Sequence, residues 1–141
     1  MSTPAEKIAS GLRNTVLVVD NDVLVRMPIC DYLRDCGYRV LEAATAEEAM
    51  VILQKQDIHV DVVLTDIEMP AGQPNGFAFA TWARSIRPGL DVVLASTPER
   101  AARAAGELCE QGPLLARPYE SQLVLQRIKR LLATRARQTQ T

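Results

Sequence analysis

The sequence contains one histidine, His59, and three cysteines with no Cys-x-x-Cys pair. That is too little for a zinc site, and an odd cysteine count argues against a disulfide framework. Cys30, Cys36 and Cys109 therefore read as the thiols of a reduced cytosolic chain. No apolar run approaches membrane-spanning length. The opening stretch, Met1-Ser2-Thr3-Pro4-Ala5-Glu6-Lys7, lacks the charged-then-apolar layout of a signal peptide. Sixteen Lys and Arg against seventeen Asp and Glu leave a formal charge of -1, with no global bias toward nucleic acid or membrane. Internal repeats and low-complexity segments are missing too. What remains is a chain of 141 residues, 48% hydrophobic and 23% charged, which suits one domain with one core. The expected setting is soluble and cytoplasmic.

Five β-branched, apolar runs of strand length recur along the chain. They are residues 15–19, 38–43, 60–64, 91–96 and, most briefly, 114–116. Each is followed by a helical pattern. The first runs from Val23 to Cys36 behind Asp22 as N-cap, with Leu24, Met27, Cys30 and Leu33 at helical spacing and Pro28 inside. Gly37 is its stop signal. The second opens on Thr45-Ala46-Glu47-Glu48, a capping box, and turns Ala46, Ala49, Met50 and Leu53 inward. After the punctuated loop at residues 71–76, a helix over 77–87 carries Trp82, and Pro88-Gly89 closes it. Pro98 suits the first turn of the Ala-rich fourth helix. The fifth spans about 121–135, with Leu123, Ile128, Leu131 and Leu132 as its apolar residues. Phe77, Phe79 and Trp82 read as packing residues. The basic end of the last helix, including Arg127, Lys129 and Arg135, reads as a solvated face that suits the helix dipole. Strands alternating with helices give a (βα)5 chain: α/β, with a doubly wound parallel sheet and right-handed crossovers. The expected divisions are an arm at 1–14, the domain at 15–135 and a polar tail at 136–141.

In such a sheet the carboxyl ends of neighbouring strands meet along one edge. That edge collects Asp20, Asn21 and Asp22 from the first strand and Asp66 from the third, with Ser96 and Arg117 from the fourth and fifth. Clustered carboxylates repel unless a cation sits among them. An oxygen-only donor set favours Mg²⁺, which needs one or two carboxylates and keeps several waters. A hydroxyl and a guanidinium beside it suit a phosphoryl group, and Asp66 is placed to attack phosphorus and become an acyl phosphate. His59, before the third strand, falls at the opposite end.

These residues resemble the receiver domain of two-component response regulators, over nearly all of residues 15–132. Asp20-Asn21 stands where that family has an acidic pair. Asp66-Ile67-Glu68-Met69-Pro70 matches its phosphoacceptor motif, Ser96 its switch hydroxyl, and Arg117-Pro118 its Lys-Pro. The resemblance implies a flavodoxin-like sheet of order 2-1-3-4-5. It also implies Mg²⁺ bound by Asp20, Asn21, Asp66 and the main-chain carbonyl of Glu68, with Asp66 as phosphoacceptor and Arg117 as phosphoryl clamp. A histidine kinase or histidine phosphotransfer protein would be the donor and a downstream protein the target, with no direct role for nucleic acid or membrane.

The sequence also departs from the family. Asn21 offers a neutral oxygen where the family has a carboxylate, so Mg²⁺ should bind weakly. Arg117 is a planar fork where the family has a compact ammonium. Thr97 follows Ser96 where a very small residue is usual, and Leu114 stands where an aromatic is frequent. These departures motivate an alternative, a degenerate receiver that acts as an interaction module without phosphorylation. A hydrolase using an aspartyl phosphate is a third class. It requires a second Asp two residues after a first-strand nucleophile, whereas Glu68 follows Asp66 on the third strand. A phosphoacceptor signalling domain rather than an enzyme is the expectation.

Overall fold

A computed structural model describes residues 14–114 and 116–139. Its described strands are β1 (Thr15–Val19), β2 (Arg39–Ala43), β3 (Val62–Thr65) and β4 (Asp91–Leu94). They form one sheet of order β2-β1-β3-β4, and every pairing is parallel. This is the expected doubly wound, flavodoxin-like arrangement. The fifth strand expected at residues 114–116 is not seen: Leu114 and Ala116 join no ladder, and Leu115 lies outside the described residues. The arm expected at 1–14 lies outside them too, except for Asn14.

The central strands are buried on both faces. Val16, Val18, Val62 and Leu64 face one layer, while Leu17, Val19 and Val63 face the other. Helices α1 (Val23–Asp35), α4 (Pro98–Gln111) and α5 (Ser121–Thr139) cover the first side, contributing Ile29, Leu33, Ala105 and Ile128. Helices α2 (Ala46–Gln54) and α3 (Gly76–Ile86) cover the second with Ala49, Leu53, Phe79 and Ala83. Full burial of a side chain such as Leu17 or Ile29 contributes about 1.5–3 kcal/mol.

The helix starts follow the local signals. Asp22 accepts from the Leu24 N–H at 3.0 Å, Thr45 from Glu48 at 3.2 Å, and Pro98 opens α4 as expected. Helix phase was harder to read. Of the stripe expected in α1, Cys30 and Leu33 are buried, beside Val25, Ile29 and Tyr32, while Met27 stays 48% exposed. In α5 the buried set is Val124, Leu125 and Ile128, with Leu123 exposed. Both stripes satisfy helical spacing, and only the neighbouring elements choose between them. Helix α5 also runs on to Thr139, past the expected end near residue 135. Phe79 is fully buried and stacks on Trp82, whereas Phe77 is 56% exposed. The basic residues of α5 are not simply solvated. Arg127 pairs with Asp31, Lys129 with Glu99 and Arg135 with Asp22.

The cysteines overturn the expectation of free thiols. Cys36, at the end of α1, and Cys109, in α4, form a disulfide with their Cα atoms 5.4 Å apart. They stand 73 residues apart in sequence, and only the side-by-side packing of α1 and α4 brings them together. Cys30 is left as a buried free thiol, and burial first, then the Glu42 charge, pushes its pKa up to about 12. At that value it is inert as a nucleophile. Among the described residues, no helix is long and apolar enough to cross a membrane.

Candidate functional site

The ladder continues one residue past each strand, and that continuation builds the site. The Asp20 N–H donates to the Ala43 carbonyl at 3.1 Å, Asp66 to Val19 at 2.9 Å, and Ala95 to Thr65 at 3.0 Å. Residues just beyond β1, β3 and β4 are thereby held in register at one sheet edge. A cavity of about 270 Å³ opens there, lined among others by Asp20, Asp22, Asp66, Ser96, Thr97 and Arg135.

Asp20 is held from two sides. The Asp22 N–H donates to its Oδ1 at 2.9 Å, and Arg26 Nη1 donates to its main-chain carbonyl at 2.6 Å. Arg26 is fixed in turn by Glu42 at 3.1 Å. Burial raises the Asp20 pKa to about 6; the Asp22 N–H opposes the rise, and the Asp66 and Asp22 charges add to it. The carboxyl of Asp66 is also raised by burial, against hydrogen bonds from the Glu68 and Ile67 N–H groups. Two carboxylates whose charges repel across one cavity are the donors a hard divalent cation takes. Mg²⁺ fits this donor set with Asp20 and Asp66 as its carboxylates. Among the described residues, however, no group of three His, Cys, Asp or Glu is arranged to hold a metal. Asn21 is exposed and does not line the cavity, and both Asp22 oxygens are engaged. Asn21→Asp adds a carboxylate beside Asp20, and we expect it to tighten Mg²⁺ by about tenfold in a calorimetric titration. Unchanged affinity would remove residue 21 from the ligand set.

Asp66 is positioned from beneath by the start of α3. Asn75 caps that helix by accepting from the Ala78 N–H at 2.9 Å, and the Gly76 N–H donates to the Ile67 carbonyl at 2.7 Å. A Cβ at Gly76 would lie 2.5 Å from the Asp66 carbonyl oxygen and 2.6 Å from the Ile67 Cα. Both are backbone atoms, so the Asp66 loop or the helix must move. Gly76→Ala should cost about 1–3 kcal/mol in denaturant unfolding and displace Asp66. Stability within about 0.5 kcal/mol of the parent, the usual range for a surface change, would refute the close approach.

Of the residues expected at the site, Asp20, Asp66 and Ser96 line the cavity, and Glu68 donates its N–H to Asp66 Oδ1 at 3.4 Å. Arg117 does not line it. Its guanidinium pairs with Glu110 and, at 3.6 Å, with Glu120. Sequence reasoning missed Arg135, whose Nη1 and Nη2 donate to the two Asp22 oxygens at 2.9 Å each. No local pattern ties residue 135 to residue 22. Tyr119, which does not line the cavity, packs edge-on against Tyr32, and its carbonyl accepts the Tyr32 hydroxyl at 3.2 Å. Thr97 caps α4 by accepting from the Arg100 N–H, which accounts for a hydroxyl residue there. His59 pairs with Asp61 at 2.7 Å, on the loop leading into the amino end of β3.

Known proteins match this architecture. Two-component response regulator-like APRR7 of Arabidopsis thaliana is 32% identical over 82 residues, which cover 58% of this chain and 11% of that protein. Sensor kinase CckA of Brucella abortus (strain 2308) is 33% identical over 82 residues, covering 58% of this chain and 8% of that protein. The chain thus spans about a tenth of the length of these curated relatives. The solved structure of chemotaxis response regulator CheY4 of Vibrio cholerae superposes with a TM-score of 0.54 at 27% identity, covering 84% of this chain and 98% of that one. Residues 16–132 match the family described as the response regulator receiver domain, and the chain belongs to that family.

Proposed function

We propose that the protein accepts a phosphoryl group on Asp66 and signals in the cytoplasm through a protein partner. The donor class that fits is a phosphohistidine on a histidine kinase or histidine phosphotransfer protein. The observation carrying this reading is the shared cavity of Asp66, Asp20 and Ser96 at the carboxyl edge of the sheet. In the transfer, an Asp66 oxygen forms a bond to phosphorus as the phosphorus–nitrogen bond breaks. The imidazole leaves with the electron pair and takes up a proton. Mg²⁺, when bound, offsets the charge between carboxylates and phosphoryl oxygens. Asp20 would hold the ion with Asp66, the Glu68 N–H orients Asp66, and Ser96 offers a hydroxyl toward the new phosphate.

A second reading, an interaction module that is never phosphorylated, is favoured by the exposure of Asn21 and by the ion pairs that hold Arg117 away from the cavity. Incubation with a small-molecule acyl phosphate and Mg²⁺, followed by intact mass, separates the two. The expected result is one phosphoryl group per chain, recovered on the peptide containing Asp66. No mass gain under conditions that label another receiver domain leaves the interaction module standing.

A further inference from the structure

We propose that Arg135 is the cation that meets a phosphoryl group on Asp66, taking it in exchange for Asp22. This assignment rests on the phosphoacceptor reading above. Among the described residues, Arg135 is the one cationic side chain lining the cavity of Asp66, Asp20 and Ser96. Arg117 is held by Glu110 and Glu120, and Arg26 is committed to Glu42 and the Asp20 carbonyl. The position of Arg135 follows from the face of α5 that it shares. Ile128 is fully buried in the core, Leu132 packs against that core and lines the same cavity, and Arg135 follows at helical spacing.

The present partner of Arg135 is well formed but weakly held. Both guanidinium arms reach Asp22 at 2.9 Å, yet the two side chains are 48% and 31% exposed. Pairs this open are screened by water and are readily given up. A phosphoryl group brings about -1.5 to -2 charges and three acceptor oxygens, and it suits the same planar fork. It would add to the three carboxylates of Asp20, Asp22 and Asp66 that already line the cavity. Asp22 would not be stranded by the exchange, because it keeps the Leu24 N–H as a donor. A ligand shifts an equilibrium only through contacts that differ between states. Here the differing contact is a guanidinium moving from a helix cap to a phosphate.

The test is calorimetric titration of the full chain with beryllium trifluoride at saturating Mg²⁺. Arg135→Ala should weaken binding by at least about tenfold, the value of a charge-assisted bond. Arg135→Lys should recover part of that loss, and Arg117→Ala should stay within about twofold. Asp22→Asn, which keeps an acceptor for the cap, should tighten binding in the parent and do so less in the Arg135→Ala background. Urea midpoints for each variant show that the fold is intact. Unchanged binding in Arg135→Ala overturns the assignment, as does an equal loss in Arg117→Ala or an undiminished gain from Asp22→Asn without Arg135. A parent protein that takes up no beryllium trifluoride defeats the phosphoacceptor reading itself, and the assignment falls with it.

Discussion

Asp66→Asn should abolish phosphoryl uptake while leaving the fold as stable as the parent, or more so. Asparagine keeps the shape of the side chain but offers a neutral amide with no nucleophilic carboxylate oxygen. The stability expectation comes from the raised pKa of Asp66, whose largest cause is burial. A carboxyl with its folded pKa raised favours the folded state most below its ordinary value of 3.8. That contribution is lost as pH rises through the folded pKa, so at neutral pH the ionised Asp66 costs stability. Asparagine removes the cost, and it also removes one charge that raises Asp20. The variant should therefore match or exceed the parent in urea at pH 7, and the difference should vanish below about pH 4. A labelled Asp66→Asn protein moves the phosphoacceptor elsewhere. A variant much less stable at pH 7 shows that the carboxylate is held by contacts stronger than those described.

The Cys36–Cys109 bond should give the largest change in stability. It closes a loop of 73 residues, and a cross-link of that span stabilises by about 2–4 kcal/mol, mainly by restricting the unfolded chain. For a domain of this size, reduction should lower the melting midpoint on the order of 10 °C. Oxidised parent, reduced parent and Cys109→Ala, compared by calorimetry, check this. Reductant should lower the parent and leave Cys109→Ala unmoved. A parent indifferent to reductant has no such bond in solution. Disulfides rarely persist in a reducing cytosol, so the proposed cytoplasmic setting would hold the protein in its less stable form.

What the sequence made legible and what it did not divide by the range of the interaction. Asp22, Thr45 and Pro98 act on helices that start beside them, so a few residues of context suffice. The runs of β1 and β3 are apolar on both faces, which marks buried parallel strands directly. That Asp20, Asp66 and Ser96 line one cavity was legible because strand ends in a parallel sheet must meet. Arg135 was not, since its side chain is placed by helix packing across a long separation, and Arg117 was misjudged because it pairs locally rather than across the sheet edge. Arg135 reaches a partner 113 residues away, and Arg117 turns to its own neighbourhood instead. The thiols failed for the same reason: counting cysteines says nothing about which helices lie side by side.

Helix α4 starts at the cavity and is fastened near its other end. Its Thr97 cap directly follows Ser96, and Cys109 ties it covalently to the end of α1. Fourteen residues make a rod of roughly 21 Å. A rod pinned at one end and pulled at the other can swing, but it cannot slide along its axis. With the sulfur bond in place, any pull on the Ser96 end would become rotation about Cys109. With the bond open, the same pull can also draw the helix lengthwise, so the thiol state sets how many directions of motion are open to α4.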